Sequence, residues 1–72
     1  MNTPLMTVTL VRDDHIRAFH LEPVPPAGWE AIECEDDRMV QHHHTDRHLV
    51  ELTRFRFTRE IAKLKEQGWS ET

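Results

Sequence analysis

The residues best suited to chemistry lie in one run, His42-His43-His44-Thr45-Asp46-Arg47-His48. Imidazole nitrogens and carboxylate oxygens are the usual ligands of zinc and other divalent metals. In an extended strand His42 and His44 project to the same side, about 7 Å apart, and the chain then brings Asp46 and His48 to the following turn. A three-histidine or two-histidine-one-carboxylate site on His42, His44, Asp46 and His48 is therefore the candidate metal centre. The competing reading is a polar strand that shows its histidines to water, with Thr45 or Asp46 capping a helix and His48 in that helix's first turn. A cation on His48 is mildly unfavourable at a helix N-terminus. Charging all six histidines would move the net charge from −4 to +2, so the chain is also a candidate pH responder.

Other groups offer less. Cys34 is flanked by Glu33 and Glu35, whose charges oppose thiolate formation, and no glycine-rich turn lies beside it to hold an oxyanion. It is expected to be a buried core cysteine. The pairs Asp13-Asp14 and Asp36-Asp37 read as turns rather than as acid-base pairs. With one cysteine, no disulfide framework and no multi-thiolate zinc site can form within the chain, and a reducing, cytoplasmic setting is expected. No run approaches the ~20 apolar residues of a membrane span, and the N-terminus carries no basic-then-apolar signal. The expectation is a non-enzymatic protein with no cofactor beyond a divalent metal at the histidines.

The elements that position these residues follow from periodicity. Leu5 to Arg12 alternates, with Met6, Val8 and Leu10 on one side, and reads as a strand. Asp13-Asp14-His15 turns the chain, and Ile16 to Glu22 alternates again with Arg17, Phe19 and Leu21 on one face. Pro23, Pro25, Pro26 and Gly28 make a loop. Trp29 to Glu35 is a third strand, in which Trp29, Ala31 and Glu33 oppose Ile32 and Cys34. The polar fourth strand, Arg38 to His44, suits a sheet edge.

From His48 to about Gln67 there is no Pro or Gly, and Val50, Thr53, Phe57, Ile61 and Leu64 form one helical stripe. Gly68 is placed to end the helix, and Trp69 to fold back on it. The predicted fold is α+β, a four-stranded antiparallel sheet (β-β-β-β-α) with one long C-terminal helix on one face. It is a single domain over residues 1–72, frayed at 1–4 and 70–72.

The order of landmarks resembles that of the WGR domain. The likeness is carried by Arg17-x-Phe19-x-Leu21, by Gly28-Trp29-Glu30, and by Lys63 with Gln67-Gly68-Trp69 at the helix end. It implies a small sheet-and-helix module of a kind associated with nucleic-acid binding in poly(ADP-ribose) polymerases and with bacterial regulators. Where that family carries Trp-Gly-Arg, this chain has Cys34-Glu35-Asp36-Asp37-Arg38.

Two helix surfaces remain. Residues 46–72 carry a net charge of +1 and residues 1–45 carry −5, so Arg54, Arg56, Arg59 and Lys63 are the candidate nucleic-acid contacts. Opposite the apolar stripe, Leu52, Phe55, Arg59 and Ala62 fall where a lone helix on a sheet should show only polar residues. A chain of 72 residues buries only ~60% of its unfolded surface and gains from a partner. The leading expectation is thus an interaction or regulatory module that self-associates, as a dimer, through that outer face.

Overall fold

The computed structural model describes residues 4–72. The chain forms β1 (Met6–Arg12), β2 (His15–Pro23), β3 (Trp29–Glu35), β4 (Arg38–His44), α1 (Arg47–Glu66) and β5 (Ser70–Glu71). The five strands make one antiparallel sheet in the order β4-β3-β2-β1-β5. Each long strand pairs with its sequence neighbour, as short hairpin turns dictate. Asp13 and Asp36 open two of these turns with φ of 54°, a left-handed conformation that short acidic side chains tolerate.

Register decides which residues meet the helix. Val8 lies opposite Phe19 and Met6 opposite Leu21, while Leu21 lies opposite Ala31 and Phe19 opposite Glu33. This face of the sheet supplies Leu10, Phe19, Leu21 and Ala31 to the core, and α1 supplies Val50, Phe57, Ile61 and Leu64. Phe19 and Phe57 meet edge to face, with ring centroids 5.2 Å apart. Thr53, the fifth member of the predicted stripe, is only half-buried at the helix flank.

Three expectations are corrected. The sheet has five strands, not four, because the C-terminal residues add to the free edge of β1: Val11 pairs with Ser70 and Leu10 with Glu71. The Thr72 amide donates to the Thr9 carbonyl at 2.9 Å, so residues 70–72 are held rather than frayed. Of the N-terminal residues expected to fray, 1–3 lie outside the described residues. The cause of the fifth strand is the helix stop. Gly68 takes φ of +97°, the Trp69 amide donates to the Leu64 carbonyl and the Gly68 amide to the Lys65 carbonyl. This Schellman pattern turns the chain back along the sheet. Trp69 packs against the core, as expected from its place after the glycine.

The third correction concerns Cys34. It lies on the sheet face away from α1 and is half-exposed, outside the core, because Ala31 and Trp29 take the inward positions of β3.

Candidate functional site

Helix α1 starts where a side-chain oxygen can satisfy its free amides. Asp46 is the N-cap, and its carboxylate accepts from the His48 amide at 2.8 Å. Lys63 and Lys65 sit in the last turn, where cations suit the carbonyl end. With Val50, Phe57, Ile61 and Leu64 committed to the sheet, the 100° step between residues directs Leu52, Phe55, Arg59 and Ala62 outward. Phe55 is 62% exposed and Leu52 is 53% exposed. The Arg59 guanidinium lies 5.8 Å from the Phe55 ring centroid, a cation-π contact that keeps both on the surface. Phe55, Arg56, Arg59, Ala62, Lys63 and Glu66 line a shallow groove along this face.

Of the four basic residues considered for nucleic acid, Arg56, Arg59 and Lys63 line that groove together with Glu60 and Glu66, and Arg54 does not join them. Arg54 and Lys63 lie roughly 180° apart around α1. Arg56 turns toward the sheet, 3.4 Å from the Glu33 carboxylate and 5.1 Å from the Phe57 ring centroid. Glu33 also receives Arg17 at 3.3 Å, and Arg17 lies within 3.8 Å of Glu35 and 4.0 Å of Glu60. Arg17 shares the helix-facing row with Phe19, over whose ring it sits at 5.4 Å. Its Nε is buried without a hydrogen-bond partner among the described residues. This cluster joins β2, β3 and α1, and its only forewarning in the sequence was a cation in phase with Phe19 and Leu21.

The histidines divide by strand parity. His42 and His44 share one side of β4, their rings stacked at 6.1 Å with 17° between planes. His43 points to the opposite side, near Gly28. Asp46 is engaged as the helix cap and His48 stands exposed in the first turn of α1. Among the described residues no group of three or more His, Cys, Asp or Glu side chains is gathered for a metal. His42 and His44 alone supply two ligands, and a structural zinc site takes four.

A clasp joins two hairpins at one end of the sheet. The Asp36 carboxylate accepts from the Ile16 amide and from His15 Nδ1, both at 3.0 Å. The hydrogen bond and charge of Asp36 raise the His15 pKa above its ordinary 6.5. The Ile16 amide, then His15, lower the Asp36 pKa below 3.8.

Sequence reasoning missed a second apolar surface, the sheet face away from α1. Met39 is 63% and Ile16 47% exposed there, beside the half-buried Val11, Ala18, Ile32 and Cys34. The available signal was apolar residues on both phases of the alternation in β1 to β4. No helix of the described residues is long and apolar enough to cross a membrane.

Comparison with family models, with curated proteins and with solved structures returns no match to this chain.

Proposed function

We propose that this protein is a small non-enzymatic interaction module that self-associates as a dimer through the outer face of α1, with Leu52, Phe55, Arg59 and Ala62 at the contact. The observation that carries the reading is Phe55, 62% exposed on the same helix that buries Phe57 to 1%. A large aromatic held in water beside an equally exposed leucine makes a patch that gains free energy when another surface covers it. Arg59 beside Phe55 suits an interface, where arginine and aromatic residues are enriched. The single free Cys34 supports a reducing, cytoplasmic setting.

The likeness to WGR modules enters as a proposal of shared architecture, supported by the Arg17-Phe19-Leu21 row facing the helix and by the Gly68-Trp69 turn. A role in nucleic-acid binding has less support, because Glu33 holds Arg56 and Phe55 holds Arg59. Substituting Phe55 by Glu tests the reading. Static light scattering at high protein concentration should show a mass approaching the dimer for the native chain and a monomer for Phe55→Glu, with the same far-ultraviolet dichroism. Equal masses for the two proteins would overturn it.

A further inference from the structure

The outer stripe of α1 is self-complementary in one orientation only. Its members His48, Leu52, Phe55, Arg59, Ala62 and Glu66 follow the three-then-four spacing of a two-helix seam. If two copies ran parallel, each seam residue would face its own copy. Arg59 would meet Arg59 and Glu66 would meet Glu66, placing like charges in the centre of the contact. If the copies run antiparallel and are centred on position 57, the same residues meet their complements. Leu52 meets the partner's Ala62, a large side chain against a small one. Phe55 meets the partner's Arg59, repeating between chains the cation-π contact already made within one. His48 meets the partner's Glu66. Along one flank Glu51 comes opposite the partner's Lys65, whose ammonium already accompanies Glu71 at 2.8 Å. Across the other flank the two Arg56 side chains would approach, but each is drawn down to Glu33 of its own sheet.

We infer that the occupant of this face is a second copy of the chain, docked antiparallel about a two-fold axis at Phe57, so that two sheets sandwich two helices. The inference rests on the proposed self-association and adds its direction and register. Sliding the register by one heptad cuts the seam from six pairs to four, setting Arg59 on His48 and Leu52 on Phe55 in one direction and Arg59 on Ala62 and Phe55 on Glu66 in the other, so only the centred alignment pairs every seam position. A two-fold contact of this kind is isologous and closes on itself at a dimer.

Cysteine trapping separates direction from association. Leu52→Cys and Ala62→Cys, each combined with Cys34→Ser, change exposed positions and leave the buried stripe intact. In the antiparallel pair the two copies of residue 52 lie about 15 Å apart along the axis, beyond the ~7 Å reach of a disulfide. The expected result, read by intact mass after oxidation, is that each variant alone stays uncrosslinked while an equimolar mixture gives the mixed 52–62 disulfide dimer. Crosslinking of each variant with itself, and no mixed 52–62 disulfide in the mixture, would overturn the inference in favour of a parallel pair, leaving self-association standing. Indiscriminate crosslinking of all three kinds would also overturn it, by showing no fixed register. A native chain that sediments as a dimer with no crosslink in any sample would place the contact on another surface and overturn both statements. A native chain that stays monomeric would remove the underlying reading itself.

Discussion

Phe55 and Phe57 are neighbours in sequence with opposite environments, 62% and 1% exposed. The difference is one of helical phase, since about 200° separates their directions from the axis. Truncation should therefore cost very different amounts. Phe57→Ala empties the space beside Phe19 and is expected to lower the unfolding free energy by about 3–5 kcal/mol. Phe55→Ala should change the stability of the isolated protomer by no more than ~0.5 kcal/mol, the usual range for surface sites. Urea denaturation at low protein concentration measures both. The His15–Asp36 clasp makes a second prediction at this scale. His15 titrates higher in the folded chain than in the unfolded one, so its contribution is complete below 6.5 and fades as pH rises through its raised value. Asp36 titrates lower, so its contribution is complete above 3.8 and fades as pH falls through its lowered value. The clasp is thus tightest between those limits. Proton NMR should show a raised His15 midpoint that returns toward 6.5 in Asp36→Asn. An unchanged midpoint would show that the shift has another source.

At the scale of elements, α1 begins and ends on named devices, and each can be removed. Asp46→Ala takes away the acceptor of the His48 amide and should cost about 1 kcal/mol in thermal or chemical unfolding. The helix was legible in the sequence as a run from His48 to about Gln67, against an observed Arg47–Glu66, because the cap, the stripe and the terminal Gly68 are local signals. The four long strands were legible for the same reason, through alternation between turn residues. What local signals did not reveal was β5. Ser70 and Glu71 have no strand pattern of their own and become a strand only because the Gly68 turn delivers them to the open edge of β1. The position of Cys34 was likewise hidden. Alternation separates Ile32 and Cys34 from Trp29 and Ala31, but only the register with β2 shows which pair meets the helix. The histidine run was legible as a same-side pair at His42 and His44. The commitment of Asp46 to the helix start, which withdraws it from that pair, is a local contact that the sequence offered as an alternative to a cap at Thr45.

For the whole molecule, one helix covers one face of a sheet, so this chain keeps two apolar surfaces in water: the outer stripe of α1 and the far sheet face around Ile16 and Met39. Of the two, the helix stripe is the one proposed as the contact, because in an antiparallel second copy Phe55 would meet Arg59, Glu66 would meet His48 and Glu51 would meet Lys65. The proposed interface is a single helix face about 30 Å long, so affinities in the micromolar range or weaker are expected, about −8 kcal/mol or less in magnitude. Sedimentation equilibrium of the native chain is the most direct measurement. Between about 1 µM and several hundred µM, a span that brackets such a dissociation constant, the weight-average mass should rise from one chain of 8.6 kDa toward twice that value. A mass that stays at 8.6 kDa throughout would contradict self-association through the outer helix face.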